Sequence, residues 1–157
     1  MTIFSALRKK EQAAKMDRSK YVLAVMAAGG DAPRFSPAQL QKLFFLMDAE
    51  AAGHTGGPYF HFTAYDYGPF DSAVYDEVEQ LTAQGLAVVD KSGFFRVYTT
   101  TPAGRTQGEA ALLEFTAPAR EYAAQVSQWV RSVSFNTLVS EIYKKYPLMK
   151  ANSIFKE

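Results

Sequence analysis

The chain has 157 residues, 48% of them hydrophobic and 21% charged, which is enough length and apolar content for one globular domain. Because it contains no cysteine and only two histidines, its composition excludes disulfide frameworks, thiol nucleophiles, cysteine-based zinc sites and three-histidine zinc sites. The net charge is +1, no apolar run approaches the ~20 residues of a membrane span, and the N-terminus lacks a signal-peptide pattern, so we expect a cytoplasmic protein without a membrane segment.

We expect the first 18 residues to form a basic N-terminal arm or a helix. Their Ala, Lys, Glu and Gln content favours a helix over Ser5–Met16, although no capping residue marks its start. The first well-delimited helix is predicted over Lys20–Ala28, because Gly29-Gly30 ends it. The basic side chains of the arm and of the start of this helix are Arg8, Lys9, Lys10, Lys15, Arg18 and Lys20.

The second helix has the clearest start in the chain. Ser36 stands at the N-cap, Pro37 at the first helical position and Gln39 at the third, which is a capping box. Apolar residues then recur at helical spacing, and additional ones widen the apolar arc until little of the helix can face water. We therefore predict a central core helix that ends near Gly53.

The next segment, Tyr59–Phe70, is rich in aromatic residues. We expect a short extended stretch over Phe60–Thr63 and a turn at Gly68-Pro69. Most of these rings should be core, but three of them bracket the turn and cannot all point inward. We therefore expect at least one of them to anchor a protein interface. These candidate partner-binding residues are Tyr65, Tyr67 and Phe70.

A third helix is predicted after Asp71 as its cap, with Val74, Val78 and Leu81 on one face and Gly85 just past its end. The predicted elements that follow are strands over Leu86–Asp90 and Phe94–Thr99 and helices from Thr101-Pro102 to Phe115, from Pro118 to Arg131 and over Phe135–Tyr146. We expect Leu86 and Val88 to share one face of the hairpin. The fold class is thus mostly α with a small β-hairpin, in a single domain over residues 1–157. Its element order is that of a winged-helix-like core with additional C-terminal helices.

In a winged-helix DNA-binding regulator, which is the alternative function, the helix before the hairpin would read DNA. Here that helix has four carboxylates and no cation, and residues 31–90 as a whole carry a net charge of −7. The charge of this helix therefore argues against nucleic acid as a partner. The helical acids form either a solvated face or a docking surface for a basic partner, and we include Asp76, Glu77 and Glu79 among the candidate partner-binding residues.

His54 and His61 stand near three carboxylates in the sequence, but neither histidine has the helical spacing of a metal ligand pair. We expect histidines that are exposed or hydrogen-bonded, and no metal site. The carboxylates in question are Asp48, Glu50 and Asp66. The chain also has no phosphate-binding loop and no Gly-x-Ser-x-Gly elbow. We therefore expect no catalytic residues and no cofactor.

Several segments together resemble the SocA-like antitoxin family, also called the Panacea domain. They are the run Leu40-Gln-Lys-Leu-Phe-Phe-Leu46, the turn Tyr65-Asp-Tyr-Gly-Pro-Phe70, the helix Val74–Leu81, the segment Tyr98–Gly104 and the ending Tyr143-Lys-Lys-Tyr-Pro147 with Asn152-Ser153 after it. The resemblance covers about residues 19–152. One departure is Thr100, where the family more often has Leu.

The resemblance implies a non-enzymatic module that neutralises a cognate toxin by direct protein–protein contact. In the founding member of the family, the antitoxin is an adaptor that delivers its toxin to the ClpXP protease. Because other members block unrelated toxins, the resemblance implies a protein partner but does not identify it.

Overall fold

The computed structural model describes residues 13–156, and this range is mostly helical with two small antiparallel hairpins, which confirms the predicted α+β class. The α-helices are α1 (Arg18–Ala27), α2 (Pro37–Thr55), α3 (Ala73–Ala83), α4 (Pro102–Leu112), α5 (Ala117–Ser132) and α6 (Phe135–Lys145), followed by a 3-10 turn at Pro147–Lys150. The strands are β1 (Thr63–Tyr65), β2 (Gly68–Phe70), β3 (Ala87–Asp90) and β4 (Val97–Thr100). No helix within residues 13–156 combines the length and apolarity needed to cross a bilayer.

Local capping sets where the helices begin. The Ser36 hydroxyl accepts from the Gln39 amide at 3.2 Å, and the Ser36 amide donates to the Gln39 side chain at 2.9 Å, which confirms the capping box. The hydroxyls of Thr101 and Ser134 cap α4 and α6 by accepting from the amides of Gly104 and Thr137, without the reciprocal bond of a capping box. At the start of α3 the N-cap is Ser72 rather than Asp71, although the Asp71 carboxylate does accept from the Ala73 amide.

Helix α2 lies at the centre of the core and packs mainly against α5, α6 and the second strand. Beside it, five rings from four parts of the chain form what we call the inner aromatic cluster: Tyr21, Phe44, Tyr59, Phe60 and Phe115. The Asp48 carboxylate accepts from the amides of Tyr59 and Phe60 and from the Tyr21 hydroxyl. Burial raises the pKa of Asp48, while these hydrogen bonds oppose that rise. Asp48 therefore anchors the start of the aromatic segment to α2.

The packing of α1 against α4 depends on a glycine. A Cβ atom at Gly108 would lie 2.6 Å from Ala27 Cβ and 2.7 Å from the Leu23 carbonyl oxygen. These separations are too short for any side chain, so Gly108 permits the two helix backbones to approach closely.

The aromatic segment differs from its prediction. Residues 60–62 are not in a strand; instead β1 pairs antiparallel with β2, with Thr63 opposite Phe70 and Tyr65 opposite Gly68. The turn lies at residues 66–67, so the predicted turn at Gly68-Pro69 is wrong. The physical reason is that Asp48 holds the Phe60 amide away from strand pairing, whereas Gly68 adopts a φ of +105° as the first residue of β2.

The second hairpin is shorter than predicted. Phe94 and Phe95 lie in the exposed connection between β3 and β4 rather than in a strand. Leu86 is buried just before β3, whereas Val88 within the strand is exposed, so the two residues do not form one buried apolar face. Phe35, between α1 and α2, forms a bridge with Tyr98 of β4 through two hydrogen bonds of 2.9 Å. The winged-helix description of this core stays a prediction.

Two helix predictions also need correction. Residues 13–16 are not helical, and the rest of the predicted helix over Ser5–Met16 lies outside the described residues. Helix α4 ends at Leu112, three residues before the predicted Phe115. The remaining helices begin and end within about two residues of their predicted bounds.

Candidate protein-binding groove

Two of the segments quoted above, the start of α2 and the β1–β2 hairpin, meet in space. The buried Gln41 side chain donates to the Asp71 carbonyl and accepts from the Asp71 amide, both at 3.0 Å. A side-chain amide that pairs with both backbone groups of one residue fixes that residue's position and orientation. Gln41 therefore holds the end of β2 and the approach to α3 against α2.

Lys42, the next residue of α2, lies against the same hairpin and is only 4% exposed. A Cβ atom at Gly68 would be 3.8 Å from Lys42 Nζ and 3.3 Å from a ring carbon of Tyr143. A larger residue at Gly68 would thus press against the Tyr143 ring, in addition to the strain of its positive φ. Burial lowers the pKa of Lys42 to about 8.

A groove of about 640 Å³ opens between α2, the β1–β2 hairpin, α3 and the start of α6. Rings line most of it: Tyr65 stacks on Phe70 with centroids 4.9 Å apart, and Tyr67 meets Phe135 edge-on at 5.2 Å. Its polar lining comes from Ser36, Gln41, Lys42 and Asp66. We call this site the aromatic groove.

The rim of the aromatic groove is exposed although it is aromatic. Tyr65, Tyr67, Phe95 and Phe135 have 52%, 41%, 64% and 43% of their surface open to solvent. By contrast, Tyr75 lies deeper, where its ring stacks on Tyr98 and its hydroxyl donates to the Pro37 carbonyl at 3.2 Å. Burial raises the pKa of Tyr75 to about 12, so it remains a neutral hydrogen-bond donor near neutral pH.

The end of the described chain braces the hairpin from the other side. The Ile154 amide donates to the Asp66 carbonyl at 2.9 Å, and the Asn152 side chain donates to the Ala64 carbonyl at 3.1 Å. The Tyr143 hydroxyl donates to the Ser153 hydroxyl at 2.6 Å. Strands β1 and β2 have only three residues each, so the hydrogen bonds between them cannot hold the hairpin in place alone. The contacts with residues 152–154 and Tyr143 provide the additional support.

Comparisons of the chain with protein-family models, with curated proteins and with solved structures found no match.

The three predicted aromatic contact residues, Tyr65, Tyr67 and Phe70, all line the groove, whereas the three predicted acids do not. Asp76 and Glu79 are exposed on α3, as a solvated or docking face requires. Glu77 is buried, and its carboxylate accepts from Arg18 at 3.3 Å, so it joins α3 to α1 and is not open to a partner. Its position on the helix gave no sign of this pairing, which depends on a distant residue.

The two histidines and the carboxylates near them in the sequence each make contacts in different parts of the fold. His54 is buried, and its Nδ1 lies 2.8 Å from the Thr116 hydroxyl at the start of α5. His61 is exposed, and its amide donates to the Asp71 carboxylate. Glu50 accepts from the Tyr146 hydroxyl. Within residues 13–156 no group of three or more metal-ligating side chains comes together.

The described part of the basic arm is engaged within the fold. Lys20 pairs with Glu114, Arg18 pairs with Glu77, and Lys15 lies 6.0 Å above the Tyr59 ring. Arg8, Lys9 and Lys10 lie outside the described residues. Arg18 and Lys20 are thus paired with acids of the fold, but the Lys20–Glu114 pair is exposed to solvent and contributes little to stability.

Among the lining residues that the sequence did not indicate as contact residues are Lys42, Phe95 and Phe135. Lys42 did carry a signal, because it is a cation in a helix whose apolar arc leaves little surface for charge. Phe95 and Phe135 reach the groove from the second hairpin and from α6. Their contribution depends on tertiary packing, for which the sequence pattern offers no sign.

Proposed function

We propose that this chain is a non-enzymatic protein-binding domain of the cytoplasm that neutralises a cognate toxin by direct contact, as the SocA-like antitoxins do that it resembles. The observation that carries the proposal is the rim of exposed rings around the aromatic groove. Exposed Tyr and Phe side chains at a concave surface are typical of interface anchors, because a partner that covers them removes apolar area from water.

The support given to the groove is also consistent with binding. Gln41 fixes the hairpin from α2, and residues 152–154 fix it from the opposite side. A surface held in place before binding loses little conformational entropy when a partner docks. The rings of Tyr65, Tyr67 and Phe70 are thus presented by a braced hairpin rather than by an unsupported loop.

The exposed acids Asp76 and Glu79 have a different part in this proposal. They lie outside the groove and would attract a basic toxin during its approach, which affects the association rate more than the final affinity. Delivery of the toxin to a ClpXP-type protease is the route of neutralisation that the family resemblance suggests. Such delivery would follow binding in the groove and requires no chemistry from this chain.

Co-expression with the product of the neighbouring gene tests the proposal. If that product is toxic, the wild-type chain should restore growth and be recovered with it by affinity capture. Tyr67→Ser should weaken the complex by roughly 30-fold, which corresponds to the loss of one interface anchor. The matched control is Leu113→Ser, which changes an exposed apolar residue at the end of α4, outside the groove, and should leave capture unchanged.

Failure to capture a demonstrably toxic neighbour would contradict the proposed function. Equal capture by the wild-type chain and by Tyr67→Ser would instead show that the groove is not the contact surface. A toxin that disappears in cells only when a ClpXP-type protease is present would support the adaptor route.

A further inference from the structure

The floor of the aromatic groove contains a buried cation without an anion. Lys42 is 4% exposed, and none of the carboxylates in residues 13–156 lies within 4.0 Å of its ammonium group. The Gln41 amide beside it pairs with the Asp71 backbone and is neutral, so it brings no negative charge to balance the ammonium group. Asp66 also lines the groove but forms no ion pair with the lysine.

An unpaired charge at such a position is costly. Removing an ammonium group from water is unfavourable unless an opposite charge or hydrogen-bond acceptors replace the water. By comparison, the buried Glu77 has its partner in Arg18. Lys42 reaches the groove, so a bound ligand can supply the missing anion where the chain itself does not.

We propose that the aromatic groove recognises a segment of a partner polypeptide in which an Asp or Glu side chain stands next to an apolar side chain. This inference rests on the proposed function and identifies what the partner presents. The carboxylate pairs with the Lys42 ammonium, while the apolar neighbour packs against Phe70 and the rim rings.

The charge and the shape of the groove select this occupant. A single lysine balances one negative charge, as a carboxylate carries, whereas a phosphate dianion would leave excess charge among aromatic rings. A volume of about 640 Å³ holds more than one side chain. The exposed rim extends beyond the floor, so a polypeptide would cover rings that a small carboxylate would leave in water.

A random dodecapeptide phage library, selected on the full-length protein, tests this inference without knowledge of the toxin. Selected sequences should contain Asp or Glu beside an apolar residue. Replacing that acid by Asn or Gln in the synthetic peptide should weaken binding by roughly 10- to 100-fold, the loss expected for a charged hydrogen bond. The same loss should follow from Lys42→Met in the protein.

Lys42→Met removes the charge and keeps an unbranched apolar stem, and its thermal unfolding should show an intact fold. The matched control is Lys144→Met, which changes an exposed lysine on α6 and should bind the peptides as the wild type does. Lys42→Arg, which retains the cation, should keep part of the preference for the acidic peptide.

The inference is overturned if no peptide is enriched, if the enriched peptides lack acids, or if they bind Lys42→Met as tightly as the wild type. It is also overturned if 3-phenylpropionate, a small apolar carboxylate, binds more tightly than every selected peptide. In each case capture of the toxin by the wild-type chain would still support the proposed function, so the two failures are distinguishable.

Discussion

The inner aromatic cluster and the aromatic groove draw on one continuous segment of the chain, Tyr59–Phe70, yet they differ in how completely they are covered. In the inner cluster, Tyr59 stacks on Tyr21 with centroids 3.9 Å apart, and its hydroxyl donates to the Thr55 carbonyl at 2.7 Å. In the groove, the rings of Tyr65 and Tyr67 are about half exposed, and the charge of Lys42 lacks an anion among the described residues. The same residue types thus complete the core at one end of the segment and leave interactions unfilled at the other.

This difference indicates a division of roles. Rings that are covered and hydrogen-bonded should determine stability, because their removal creates cavities or unsatisfied groups. Rings that are open should contribute little to stability and much to binding. Each of the following variants tests this division, in order of decreasing effect.

Phe44→Ala should produce the largest loss of stability. Phe44 is fully buried in the inner cluster, so its truncation should lower the free energy of unfolding by about 3–5 kcal/mol. Phe95→Ala, on the exposed rim, should change it by no more than about 0.5 kcal/mol. Urea denaturation measures both, and comparable losses for the two variants would contradict the division between the clusters.

Lys42→Met should increase stability, in contrast to Phe44→Ala. Burial lowers the pKa of Lys42 from 10.5 to about 8, so below pH 8 the folded state contains a buried ammonium that the unfolded chain exposes to water. Removing that charge should raise the free energy of unfolding by about 3 kcal/mol below pH 8. The gain should shrink as pH rises from 8 to 10.5, because over that range folding releases the proton from Lys42 in the wild type.

Denaturation of the two proteins at several pH values checks this prediction. Titration of the buried tyrosines occurs in both proteins and cancels from the difference between them. A Lys42→Met variant that is less stable than the wild type at pH 7 would show that the lysine is satisfied within the fold.

Glu77→Gln should change the free energy of unfolding by less than the two main variants above. Compared with Glu79→Gln, it distinguishes the buried acid of α3 from an exposed one. The ion pair between the buried Glu77 and the partly exposed Arg18 joins α3 to α1. Because solvent reaches Arg18, loss of the pair should cost only roughly 1–2 kcal/mol. Glu79→Gln changes an exposed acid that lies 4.0 Å from Lys91, and its stability should stay within about 0.5 kcal/mol of the wild type. Equal effects in thermal unfolding would mean that the burial of Glu77 has no energetic consequence.

Local chemistry explains which parts of the fold were predictable. The start of α2 is determined within four residues, by Ser36, Pro37 and Gln39. The starts of α4 at Thr101 and of α6 at Ser134 are equally local. The aromatic segment was not predictable in the same way. The extended stretch expected from Phe60 begins instead at Thr63, because the Asp48 carboxylate, eleven residues before Tyr59, accepts from the amides of Tyr59 and Phe60.

The candidate site shows the same limit. Crowding of rings around a tight turn indicated Tyr65, Tyr67 and Phe70, and all three line the groove. Phe135 completes the groove from α6, and Arg18 removes Glu77 from the surface, by contacts between residues about 60 positions apart or more. Periodicity reports the environment of a residue along its own element and contains no information about such partners.

Hydrogen–deuterium exchange on the chain, free and in complex with the product of its neighbouring gene, tests most directly whether the aromatic groove is the contact surface. Binding there should slow exchange in the β1–β2 hairpin and in the first turn of α6, and leave the face formed by α1 and α4 unchanged. Protection confined to α1 and α4, with the hairpin exchanging at its free rate, would contradict the account.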